Sequence, residues 1–177
     1  MPLWRIYHPE GTFTTPAHKK GLADGITKLY ETIGLPAFYV VVLFIPLKTT
    51  DMFVGGSNRP PPPLTDASGH HIGLPVPSFW ADPKAAAEEP QAPFIRIFAS
   101  NIARKMKDDG MKGMFRERVN QLLQPWVKDW GYDWEWHADE TDRELWEIEG
   151  VSPPLPGEEG QWHEAGRPIP QVKEVKL

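Results

Sequence analysis

The chain has 177 residues, 40% hydrophobic and 24% charged, with a formal net charge of -5 and no cysteine. That length supports one domain burying roughly 70% of its unfolded surface without covalent staples. The acidic balance argues against nucleic acid or an anionic membrane as partner, and the lack of cysteine removes disulfides, thiolate metal sites and cysteine nucleophiles.

Leu3 to Tyr7 alternates apolar with long polar or aromatic residues, the period of a half-buried strand. Thr15-Pro16 pairs a helix N-cap with a proline suited to the first helical position. Leu22, Ile26, Leu29 and Ile33 then recur at helical spacing up to a stop at Gly34. Phe38 to Ile45 is β-branched and aromatic without alternation, which predicts a central strand covered on both faces. The longest apolar run, Phe38 to Leu47, contains Pro46 and is too short to span a bilayer, and Met1 to Arg5 has no signal-peptide pattern. A soluble, cytoplasmic protein is expected.

From about residue 56 to 93 the composition turns to proline, glycine and alanine, which predicts an insertion into a compact domain. Pro60 to Pro63 reads as a stiff loop or a polyproline ligand for an aromatic groove. His70-His71 lacks a third ligand at metal-binding spacing, so no metal site is implied. Phe94 to Ala99 is a further strand. Met114, Phe115, Val119, Leu122, Leu123 and Trp126 then form a helical stripe that Pro125 bends or ends, and Trp134-Glu135-Trp136 reads as a closing strand. The order is β-α-β, insertion, β-α-β over residues 1–150, followed by a Pro/Gly-rich tail over 151–177.

Several residues carry possible chemistry beside a plain alternative. Met1 precedes a small residue, so its removal leaves Pro2 as an N-terminal secondary amine, a base when desolvated; the alternative is an inert start. Arg104 and Lys107 follow the strand Phe94 to Ala99, where a guanidinium suits a carboxylate and a solvated basic loop is the alternative. Glu147 lies in an acidic run that otherwise reads as a solvated face. The tryptophans at 126, 130, 134, 136 and 146 suit core and interface, since no basic groove accompanies them.

The ordered set Met1-Pro2, Thr15-Pro16, Gly25-Ile26-Thr27, Phe53-Val54-Gly55-Gly56, Ile97 to Arg104, Lys112-Gly113, Trp134-Glu135-Trp136, Glu147 and Pro154 to Trp162 resembles the cis-3-chloroacrylic acid dehalogenase-like group of the tautomerase superfamily. The resemblance implies an α+β fold of tandem β-α-β units. They would form a four-stranded sheet with two helices on one face, in a homotrimer that needs no cofactor. Pro2 matches the catalytic proline, Arg104 the first of two carboxylate-binding arginines, and Glu147 the acid that activates water. Lys107 falls where the second arginine stands, Trp136 replaces a tyrosine, and Tyr30 replaces a first-helix histidine. Lysine keeps the charge but loses the fork, tryptophan donates from nitrogen, and tyrosine cannot carry a cation. Asn101 with Arg104 is a second pairing for the substrate. The insertion has no counterpart in the bacterial dehalogenase.

Three functions follow as expectations: proton transfer on a small enol or 2-oxo carboxylic acid, hydration or dehalogenation of an unsaturated acid through Glu147, or a non-catalytic trimeric scaffold with a Pro-rich binding loop. In the trimer, Trp4 and Trp134 are expected to be covered by neighbouring copies.

Overall fold

The computed structural model describes residues 1–59, 92–102 and 105–170. The Pro60–Pro63 and His70-His71 readings and most of the insertion therefore lie outside the described residues, as does Arg104. The main sheet has the order β2-β1-β5-β6. Its strands are β1 (Pro2–Pro9), β2 (Val41–Leu47), β5 (Phe94–Ile102) and β6 (Asp133–Thr141). β1 and β5 run antiparallel at the centre, and each has a parallel neighbour outside it. The hairpin β3 (Phe53–Val54) and β4 (Ser57–Asn58) stands apart. The expected α+β fold of two β-α-β units is the one observed.

Helix α1 (Pro16–Glu31) starts as its sequence dictates: the Thr15 side chain accepts from the His18 amide, with proline just inside. Helix α2 (Asp109–Leu123) starts at Asp108, whose carboxylate accepts from the Met111 amide at 2.8 Å. A wider turn over Gln124–Lys128 accommodates Pro125. Both helices cover one sheet face. There the alternation of β1 and β5 buries Trp4, Ile6, Ile95, Ile97 and Ala99 against Leu22, Ile26, Val119 and Leu123. The helices approach closely through glycines of α1. A Cβ at Gly21 would stand 2.2 Å from the Trp126 ring, and one at Gly25 2.5 Å from Leu122.

Several expectations change. The apolar run expected as a central strand is the edge strand β2, with Phe38 and Tyr39 in the preceding turn; Leu43, on the sheet face that the helices leave bare, is 44% exposed. Lack of alternation here reflects an apolar outer face rather than two covered faces. Trp4 needs no neighbouring copy, because the central strand buries it completely in its own chain. Helix α1 stops before Ile33, which is 52% exposed, and Tyr30 takes the inward place. The region read as tail holds a short helix, α3 (Gly160–Ala165). Its Trp162 is buried against Phe38 and Tyr39 and donates to the Ile169 carbonyl at 3.1 Å.

Where the described chain breaks off at residue 59, Arg59 is buried. Its guanidinium pairs with Asp133 and donates to the Ala92 carbonyl, so both margins of residues 60–91 meet at one side chain.

Candidate active site

The antiparallel register of β1 and β5 sets Pro2 directly opposite Asn101. Both are buried, at the end of the sheet where α1 finishes and α2 begins. A cleft of about 410 Å³ opens there, and its walls include Pro2, Tyr30, Asn101, Ile102, Lys107 and Phe115. Lys105, Met106, Met111, Ile33, Leu35 and Pro156 complete it.

A hydrogen-bond chain fixes the polar wall. Trp4 Nε1 donates to the Tyr30 hydroxyl at 3.1 Å, and that hydroxyl donates to Asn101 Oδ1 at 2.8 Å. The network assigns the Asn101 amide: its oxygen is taken by Tyr30, so its Nδ2 is the group left to donate to a ligand. Burial raises the Tyr30 pKa well above the ordinary tyrosine value, against a smaller lowering by the Trp4 hydrogen bond. Tyr30 therefore stays neutral, and its hydroxyl proton is directed at Asn101 Oδ1.

The loop after β5 is tied to the end of β6. Lys105 pairs with Asp142, which raises the lysine pKa, and the Met106 amide donates to Glu140 Oε1 at 2.7 Å. This anchoring presents Lys107 to the cleft as an exposed ammonium. The Met1 backbone pairs with Ile102 of the wall: its nitrogen donates to the Ile102 carbonyl at 2.8 Å, and the Ile102 amide donates back to the Met1 carbonyl at 3.2 Å.

Among the sequence-derived candidates, Pro2, Tyr30, Asn101 and Lys107 share this cleft. Trp136 is not on its wall. It stands behind Phe115, ring centroids 6.0 Å apart, and spends its Nε1 on Asn120 Oδ1 at 2.9 Å. Glu147 is also outside the cleft of the single chain, exposed beside the buried Trp146. Sequence reasoning passed over Ile33, Leu35 and Met111 as walls, because only the packing of the α1 end against the α2 start brings them together. Among the described residues, no group of three or more His, Asp or Glu side chains could hold a metal ion. No described helix is long and apolar enough to cross a membrane.

A family described as "Putative oxalocrotonate tautomerase enzyme" matches residues 1–167. The chain belongs to that tautomerase family. It is also similar to native RhCC from Rhodococcus jostii RHA1, at 32% identity over 96% of this chain and 99% of that one, with a TM-score of 0.73. A protein of the thermophilic fungus Aspergillus fumigatus, described as a probable enzyme, is 31% identical over 97% of this chain and 98% of its own, with a TM-score of 0.74. N1, a member of the cis-3-chloroacrylic acid dehalogenase family, shares the fold with a TM-score of 0.57 at 15% identity, over 93% of this chain and 97% of that one. No curated protein matches the chain.

Proposed function

We propose that this tautomerase-family chain moves a proton on a small enol or 2-oxo carboxylic acid, with Pro2 as the base once Met1 has been removed. The observation that carries this reading is the buried placement of Pro2 opposite Asn101, in one cleft with Tyr30 and the Lys107 ammonium. Desolvation and a nearby cation both disfavour a prolyl ammonium, which places its pKa below the ~7.7–8.0 of an ordinary α-amino group. A neutral amine takes the enol hydroxyl proton and, as the ammonium, delivers one to the adjacent carbon. The enol becomes the 2-oxo acid and the amine returns to its starting state.

Asn101 Nδ2 donates to the oxygen on which charge develops, and Tyr30 with Trp4 keeps that amide aimed. Arg104, helped by Lys107, holds the carboxylate, and of the two it is Lys107 that lies among the described walls of the cleft. Loss of Met1 also releases the Ile102 amide and carbonyl of the wall, giving the new amine and the substrate polar backbone neighbours. No cofactor takes part. The chain works as a cytoplasmic homotrimer, in which neighbouring copies cover the edges β2 and β6 and the sheet face carrying Leu43. Water activation by Glu147 is the weaker reading, because that residue is absent from the cleft walls.

Intact-mass spectrometry of the purified protein, followed by an enol-ketonisation assay, tests the reading. The expected result is a mass lacking one methionine together with turnover. A retained Met1 and no turnover of any enol acid would overturn it in favour of a non-catalytic scaffold.

A further inference from the structure

A second cavity, of about 320 Å³, lies against the first in the groove between the end of α1 and the start of α2. Tyr30, Ile33, Met106, Met111 and Phe115 wall both. Beyond them it adds Leu29, Met114 and Arg118. Its exposed walls are apolar against the usual pattern: Met114 is 57% exposed, and Ile33 and Met111 are also open. Isolated exposed apolar residues are ordinary, but a cluster on one concave surface is a binding feature. Methionine suits a wall that must adapt to varied shapes, and the Arg118 stem extends apolar surface while its charge remains in water.

We infer that this groove is a tail-binding annex of the proton-transfer cleft, so that the substrate is a carboxylic acid bearing an unbranched hydrocarbon or aryl tail rather than a three- or four-carbon acid. The inference rests on the reading of Pro2 and Lys107 above. Two features favour a substrate tail as the occupant. The annex adjoins the cleft along five shared side chains. Two lysines, Lys105 and Lys107, wall the cleft and not the annex, whose one cation, Arg118, is exposed to solvent. An acid anchored at Lys107 with its reacting carbons beside Pro2 has the annex as the apolar space into which its far end can extend. Volume agrees: the cleft alone lies within the ~300–1,000 Å³ of sites for drug-sized ligands, so a short acid would leave most of it empty. Tail contacts are the same in ground and transition states, so they lower KM and leave kcat unchanged.

The test measures turnover of a series of enol 2-oxo acids with tails from methyl to hexyl, plus phenyl. Alongside it, calorimetry measures binding of the unreactive saturated carboxylates of equal length. With partly open walls, each added methylene should lower KM and Kd about two- to four-fold, near the ~0.8 kcal/mol of a buried CH2. Met114→Glu, at an exposed helical position that tolerates glutamate, should cut the long-to-short ratio of kcat/KM at least ten-fold, and Met114→Leu should keep it. Turnover that is indifferent to tail length overturns the annex and leaves the proton-transfer reading standing. Tail-dependent binding lost in Met114→Glu, with no turnover of any acid, supports the annex and removes that reading. Carboxylate binding indifferent to tail length overturns the annex, as it would if a second copy of the chain filled the groove.

Discussion

The antiparallel pair β1/β5, flanked by two parallel partners, makes the two ends of the sheet equivalent in topology, yet they are built differently. At one end, the start of β1 meets the end of β5, and a cleft holds Pro2, Tyr30, Asn101 and Lys107. At the other, rings fill the same relative space. His8 and Phe13 stand 5.3 Å apart, Phe13 and His18 4.6 Å, Phe13 and Tyr132 5.7 Å, and Trp130 stacks on His18 at 4.0 Å. Phe13 adopts a positive φ of 49° while fully packed, so this plug holds a backbone conformation that a phenylalanine rarely takes. One scaffold thus leaves one end open as a cleft and fills the other with packed rings. The halves also differ in covalent terms: β1 begins at a residue that can become a terminus, whereas β5 follows Pro93 in mid-chain and has no amine to offer.

The comparison can be broken most directly at the open end. Pro2→Ala should lower kcat by ~10²–10⁴-fold, the ordinary contribution of a positioned base, with little change in thermal midpoint; steady-state kinetics beside a melting curve checks both. Tyr30→Phe should cost about 1–3 kcal/mol of stability, since Trp4 Nε1 and Asn101 Oδ1 each lose their partner. It should also lower activity by about ten-fold by releasing the Asn101 amide, and an Asn101→Ala background should absorb most of that activity loss. Sparing of activity in the single variant would remove the positioning role.

Two glycines separate the close-packed helix from the open one. Gly21→Ala should destabilise by ~1–3 kcal/mol, because its Cβ meets the Trp126 ring. Gly113→Ala on α2, where the new Cβ meets nothing within 4 Å, should stabilise by ~0.5–1 kcal/mol. Urea melts of both variants give the opposite signs or refute the contrast.

The smallest effect belongs to the closed end and to pH. The Thr12 hydroxyl donates to the Pro9 carbonyl at 2.7 Å, so at 2.9 Å it accepts from His8 Nδ1, and Nε2 is the bare nitrogen. Burial lowers the His8 pKa from 6.5, with a smaller lowering from the Lys19 charge and a contrary pull from the Pro9 carbonyl. A base whose folded pKa is depressed contributes stability that is fully present above about 6.5, falls below it, and levels off past the folded pKa. Denaturant midpoints should therefore decline below pH 6.5 in the wild type and less steeply in His8→Leu.

Sequence patterns revealed what local chemistry decides. The alternation of β1, the Thr15-Pro16 start of α1 and the Pro125 bend are encoded within a few residues each. The sheet position of β2 was not legible, because an apolar run does not state whether its second face meets helices of the same chain or is left bare. Pro2, Tyr30, Asn101 and Lys107 could each be named from their place in the chain. That Tyr30 serves Asn101, and is itself held by Trp4, depends on contacts across 71 and 26 residues that no spacing rule carries. Glu147 and Trp136 fit the family pattern in order along the chain, but order does not place them on the walls of this cleft. Trp162 closes the family-like run from Pro154, but the prolines and glycines around it read as tail and hide its burial in a helix.

Arg59 makes the architecture modular. Its guanidinium clamps the exit and return of residues 60–91 to one spot beside Asp133, at the beginning of β6. The start of β6 and the return of the chain at Ala92 are thus held by the same guanidinium. Closure cost between two fixed residues rises only slowly with the length between them, by ~0.6 kcal/mol per doubling, and here the two fixed residues are already joined through one side chain. The same clamp offers a graft point: a foreign segment joined between residues 59 and 92 would inherit a closed base already formed by the fold.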